Sequence, residues 1–167
     1  MNPRQQERQL QDWLQKHRGL LIKVARSFAT NQHDQDDLLQ EIGLQLWRSI
    51  PGRSPEVAES TWIYRVAFYT AISWTRKDSK NREKRQTLAE EPIASETHTD
   101  PRIDWLYEKI AELNPIDRSL ALMMLDGIPH REIAETLGLT ESNVGVRLHR
   151  IKKQLSSRLD QETNREL

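Results

Sequence analysis

The chain of 167 residues contains no cysteine. That excludes disulfides and cysteine-ligated zinc, and it suits a reducing compartment, so a cytoplasmic location is expected. No apolar run approaches the roughly 20 residues of a membrane helix. Met1-Asn2-Pro3-Arg4 leads into polar sequence and not a secretory leader, so direct membrane insertion is not expected. Only 36% of residues are hydrophobic against 30% charged, which argues against one large core and favours small helical units. No segment alternates as a half-buried strand would, and there is no internal repeat. Enzyme signatures are also missing. The five histidines (His17, His33, His98, His130, His149) form no pair at metal-ligand spacing. There is no Gly-rich phosphate loop and no Gly-x-Ser-x-Gly. Asp36 and Asp37 are adjacent, hence about 100° apart on a helix, and form no acid–base dyad. Catalysis, a cofactor and a metal are not expected.

The formal net charge is zero, but the charges are segregated. Residues 30–47 hold four acids and no Lys or Arg, while residues 60–86 hold seven bases against two acids. Residues 88–112 then hold seven acids against two bases, and residues 140–159 hold five bases against one acid. Alternating blocks of this kind point to separate surfaces for separate partners, with the basic blocks as candidates for nucleic acid.

The last third carries the clearest motif. Asn114-Pro115 is a helix start, the apolar run Leu120 to Leu125 follows, and Gly127 is the stop. A second helix is expected over His130 to Leu137. Gly138-Leu139-Thr140 makes a short turn, with Gly138 left-handed and Thr140 capping the next helix. That helix carries Val144, Leu148, Ile151 and Leu155 as an inward stripe and shows Ser142, Asn143, Arg147, Arg150, Lys153 and Arg158 on its other faces. This is a helix-turn-helix whose second helix suits a DNA major groove, N-terminal side chains on base edges and later cations on phosphates.

Three helices are expected before it: Gln5 to Ala29, unbroken at Gly19; Gln35 to Ile50, closed by Pro51-Gly52; and Ser60 to Arg82. The third interleaves bases with Trp62, Tyr64, Phe68, Tyr69 and Trp74, too many aromatics for the core of so small a unit, so some must face out. Aromatic faces beside cations suit unpaired bases. The second presents Asp36, Asp37, Gln40 and Glu41, an acidic, amide-bearing surface for a basic partner. From Glu83 to Asp100 periodicity disappears and acids dominate, which reads as a linker. Pro101 to Leu113, with Ile103, Leu106, Tyr107 and Ile110 at helical spacing, opens the second unit.

Several of these runs resemble one family. Asp34-Gln-Asp-Asp-Leu-Leu-Gln-Glu-Ile-Gly-Leu-Gln-Leu-Trp-Arg48 is similar to the polymerase-binding helix of bacterial sigma factors. Thr61-Trp-Ile-Tyr-Arg-Val-Ala67, continuing to Ala71-Ile-Ser-Trp-Thr-Arg-Lys77, resembles the helix that melts and reads the minus-ten promoter element. Leu113-Asn-Pro-Ile-Asp-Arg118, Ile133-Ala-Glu-Thr-Leu-Gly138 and Asn143-Val-Gly-Val-Arg-Leu-His-Arg150 resemble the domain that reads the minus-thirty-five element. The size resembles the extracytoplasmic-function (ECF) group of the sigma-70 family.

The resemblance implies an all-α chain of two small helical domains, 1–84 and 102–167, joined by a flexible acidic linker, 85–101. It implies core RNA polymerase and promoter DNA as partners, with an anti-sigma factor a further candidate. Asp37, Gln40 and Glu41 are the expected polymerase contacts; Arg65, Tyr69, Trp74, Arg76 and Lys77 the expected minus-ten contacts. Ser142, Asn143, Arg147, Arg150 and Lys153 are the expected minus-thirty-five contacts. Gly145-Val146 departs from the Lys-Ser that many members carry, and the loop from Pro51 to Glu59 matches no motif residue by residue. The alternatives are a stand-alone helix-turn-helix regulator that binds duplex DNA without polymerase, and a helical adaptor that binds no DNA.

Overall fold

Asn2 opens the first helix by accepting a hydrogen bond from the Arg4 backbone, with Gln5 reaching back to the Asn2 amide, a capping box. In this computed structural model, residues 1–85 and 100–165 are described, side chains over 1–77 and 100–165. The described residues form eight α-helices and no strand. They are α1 (Pro3–Lys16), α2 (Arg18–Phe28), α3 (Gln32–Ser49), α4 (Glu59–Arg85), α5 (Pro101–Ala111), α6 (Pro115–Leu125), α7 (His130–Leu137) and α8 (Glu141–Arg165), with a 3-10 turn at Ile50–Gly52. The all-α expectation holds. Most of the expected linker falls on residues 86–99, outside the described residues.

The first expected helix is two. His17, at φ −107° and ψ 17°, interrupts the run, while Gly19 lies inside α2 and does not break it. A straight rod of 25 residues would be about 37 Å long, too long for Trp13 and Phe28 to enter one small core. The bend lets both do so, at 1% and 3% exposure. Trp13 stands three residues after Leu10, on the same face of the helix, and its burial follows from that spacing.

In the first unit α2, α3 and α4 pack around Leu38, Ile42, Leu46, Ile63, Ala67 and Phe68, all buried. Each large side chain so buried contributes about 1.5–3 kcal/mol of apolar transfer. In the second, Asn114 caps α6 through the Asp117 amide, and Gly127 ends it at φ +72°. Gly138, at φ +66°, ends α7 with the Leu139 amide bonded back to the Ala134 carbonyl, the six-to-one closure of a left-handed cap. Thr140 Oγ1 then accepts from the Asn143 amide at 3.1 Å and starts α8. Val144, Leu148 and Ile151 are buried as expected, against Ile133 and Leu137 of α7, while Leu155, the last of the stripe, is half-buried.

The two units are docked on each other. Helix α2 packs on α5 and α6, and α4 packs on α6 and α7. Lys23 pairs with Asp126 and Arg26 with Asp104. Across the same junction Arg26 stacks over Tyr107 at 4.3 Å, and Arg118 over Phe28 at 4.8 Å. Nothing in the periodicity of either half announces this contact.

Candidate nucleic-acid interface

Helix α8 offers Ser142, Asn143, Arg150 and Lys153 to solvent. The cap at Thr140 sets the direction of its first turn, and the buried stripe fixes which face turns outward. Arg147 differs from the rest. Its Nη1 donates to Asp117 Oδ1 at 2.8 Å and its Nε to Asn143 Oδ1 at 2.9 Å, so two of its three guanidinium nitrogens are engaged within the protein. Asp117 sits at 9% exposure. The sequence names it only within the run Leu113 to Arg118, and its side chain ties α6 to α8.

On the first unit, residues assigned to different partners line one groove. Between α3 and α4 lies a groove of about 790 Å³, within the roughly 300–1,000 Å³ usual for a binding cleft. Asp37, Gln40, Glu41 and Leu44 line one wall, and Tyr69, Ser73, Trp74 and Lys77 the other. Gln45 holds Glu41 through a 2.8 Å hydrogen bond, and His33 lies 3.4 Å from Asp37. His33, Asp34 and Asp37 bring possible ligand atoms within 4.8 Å of one another. Asp34 is already bonded by Asn31, and acids at a helix start offset its dipole.

The aromatics of α4 divide as the crowding required. Phe68 is fully buried and stacks on Tyr64 at 6.1 Å, whereas Tyr69 is 47% exposed. Trp62 and Trp74 are half-buried, and Trp62 Nε1 donates to Ser49 Oγ at 3.0 Å. Arg76 and Lys77 are exposed.

Arg65 and Tyr69 face the other unit. Arg65 Nη2 donates to the Glu135 carbonyl at 2.8 Å and its Nε to the Thr136 carbonyl at 3.4 Å. Tyr69 Oη donates to the Leu137 carbonyl at 3.2 Å. These are the last carbonyls of α7, which lack partners within the helix and carry the negative end of its dipole. A cation and a phenol supply what the helix end needs.

Asp126, just past α6, joins the junction from below. It pairs with Lys23 and lies 3.5 Å from Tyr64 Oη. Burial, with the Asp126 carboxylate beside it, pushes the Tyr64 phenol up to about 12. The hydrogen bond to Asp126 raises the Lys23 ammonium above its ordinary value. Neither Asp126 nor Lys23 carries a sequence signal beyond a helix end and a surface base.

A helix-turn-helix with an outward polar and cationic face, joined to a unit that groups acids, amides, aromatics and cations in one groove, defines a DNA-binding protein with a second macromolecular surface. Residues 13–81 match Sigma-70 region 2, and residues 103–155 match Sigma-70, region 4. The ECF RNA polymerase sigma factor SigE of Mycolicibacterium smegmatis is 25% identical over 150 residues, 85% of this chain and 58% of that protein. The chain thus spans a little over half the length of that relative. RNA polymerase sigma factor SigV of Bacillus subtilis is 29% identical over 149 residues, 87% of this chain and 88% of that protein. The fold matches the sigma factor RpoE solved in complex with the anti-sigma factor NepR from Bartonella quintana, with a TM-score of 0.74 at 15% identity, covering 90% of this chain and 96% of that one. It also matches CnrH, solved in complex with the cytosolic domain of CnrY, with a TM-score of 0.68 at 21% identity over 92% and 89% of the two chains. The chain belongs to the sigma-70 family, in the ECF group.

Proposed function

We propose that this chain binds core RNA polymerase and directs it to a set of promoters, with the polymerase supplying the chemistry. The observation that carries the reading is the presence in one chain of the outward face of α8 and the α3–α4 groove. A duplex-binding regulator needs the first and has no use for the second. In this reading Gln40 and Glu41 meet the polymerase, and Trp74 and Lys77 work at the minus-ten element. Ser142, Asn143, Arg150 and Lys153 face the minus-thirty-five element.

Two neighbours in fold are complexes with an anti-sigma factor or a partner's cytosolic domain. An anti-sigma partner, and a cytoplasmic setting, belong to the same proposal. Among the described residues no helix is long and apolar enough to cross a membrane. Run-off transcription with core polymerase and genomic DNA tests the function. Discrete products that require this chain are expected. Duplex binding by the chain alone, with no change in transcription, would favour the stand-alone regulator.

A further inference from the structure

A series of side-chain hydrogen bonds reaches the start of α8 from the start of α6. Asn114 Nδ2 donates to Asp117 Oδ2 at 2.6 Å. Arg147 bridges the other Asp117 oxygen and Asn143 Oδ1, at 2.8 Å and 2.9 Å. The Asn143 backbone N–H donates in turn to Thr140 Oγ1, which places Asn143 in the first turn of the helix. A guanidinium carries donors only, so the Asn143 atom that faces Arg147 Nε has to be the oxygen. The other end of the amide, Nδ2, is turned away from Arg147, on an exposed residue, and has no protein partner among the described residues.

Resting on the reading of α8 as the DNA-reading helix, we propose that Asn143 determines base specificity by presenting amide donors, and not its oxygen, to the major groove. Arg147 and Asp117 are positioning residues for it. Asparagine ordinarily reads adenine with both ends of its amide, the oxygen accepting from N6 and the nitrogen donating to N7. With the oxygen committed to Arg147, half of that pair is weakened. Guanine presents two acceptors, O6 and N7, which the donor end fits. Cytosine presents a donor at N4 and meets Nδ2 donor to donor. The expected order at the contacted base is guanine first and cytosine last. Arg147, placed by spacing among the residues that touch DNA, acts through Asn143.

The test is equilibrium binding of the full chain with core polymerase to promoter fragments in which each base pair of the minus-thirty-five element is replaced in turn. For the unaltered protein, one position should favour guanine over cytosine by about tenfold or more. Asn143→Asp keeps the shape and the Arg147 partner but exchanges donors for an acceptor. Preference at that position alone should invert toward cytosine. Arg147→Ala frees the amide, and adenine should gain on guanine there after each protein's affinities are scaled to its own best site. A merely structural role for Arg147 would lower all affinities together and leave that profile unmoved. Asn143 is exposed, so Asn143→Asp decides the matter if Arg147→Ala fails to fold by circular dichroism. A profile for Asn143→Asp parallel to the unaltered protein overturns the proposal. Binding with no dependence on any position of the element overturns the promoter reading beneath it.

Discussion

Tyr69 Oη donates to the Leu137 carbonyl at 3.2 Å, so a residue expected at the minus-ten element closes the end of the first helix of the helix-turn-helix. Arg65 makes the same kind of contact one turn earlier, 2.8 Å from the Glu135 carbonyl. The minus-ten and minus-thirty-five elements are about 25 base pairs apart, about 85 Å along B-DNA at 3.4 Å per pair. Units that touch within hydrogen-bonding distance cannot reach both at once. Engagement of both elements requires the junction to part.

That requirement can be tested with a tether. The chain has no cysteine, so Lys23→Cys with Asp126→Cys introduces a single thiol pair across the junction. A short bis-maleimide bridge should abolish binding by the holoenzyme to a promoter carrying both elements. The same variant without the bridge should bind, since the Lys23 end of the pair is solvent-accessible and one such ion pair contributes only on the order of 1 kcal/mol. Full promoter binding by the bridged protein would show that the docked arrangement and promoter engagement are compatible.

The junction should also weaken in strong base. The Tyr64 phenol is raised to about 12, above an ordinary tyrosine, by burial first and by Asp126 second. A raised value means that the docked state favours the protonated phenol. Its contribution is therefore complete below the ordinary tyrosine value of about 10 and is lost as pH rises toward the raised one. Lys23, also raised, works in the same direction. Small-angle scattering should show expansion across that window, and Tyr64→Phe should flatten the part of the response that follows the phenolate absorbance. An identical response in Tyr64→Phe would leave Tyr64 without a part in it.

Gly138→Ala should destabilise the second unit. Gly138 sits at φ +66°, where a Cβ costs about 1–2 kcal/mol. The added Cβ would stand 3.5 Å from Tyr69 Oη, ordinary contact, so backbone strain is the main term. A fall in Tm of a few degrees is expected by calorimetry. No change in Tm would mean that the turn relaxes into another conformation at little cost.

Trp74 and Phe68 should separate function from scaffold on the same helix. Phe68 is fully buried, and Phe68→Ala should cost about 3–5 kcal/mol of stability. Trp74 is half-buried on the groove wall. Trp74→Ala should leave most of the stability in place and slow open-complex formation on duplex promoters more than on pre-melted ones. Permanganate footprinting on both templates gives the comparison. Equal defects on the two, in a folded variant, would make Trp74 part of the scaffold.

Most of the helical boundaries follow from local rules that a sequence displays. Asn114-Pro115, Gly127, Gly138 and Thr140 act within a few residues of themselves, and the structure uses each as its chemistry dictates. The periodic stripe Val144, Leu148 and Ile151 likewise fixes the outward face of α8, because one helix face must be buried whatever covers it. Surplus aromatics on α4 announced that some would face out, and Tyr69 does.

Tertiary structure alone decided which polar side chains are spoken for. Arg147 looks like Arg150 in one dimension, but Asp117 reaches it from thirty residues away and accepts a hydrogen bond from its Nη1. Arg65 and Tyr69, expected at the minus-ten element, are bonded in the docked arrangement to α7, 70 and 68 residues further on. His17 breaks a helix whose periodicity runs straight through it. The physical reason is common to all of these. Helix caps and stripes are satisfied by near neighbours, so spacing reveals them, whereas the partner of a long polar side chain is set by where distant helices happen to dock.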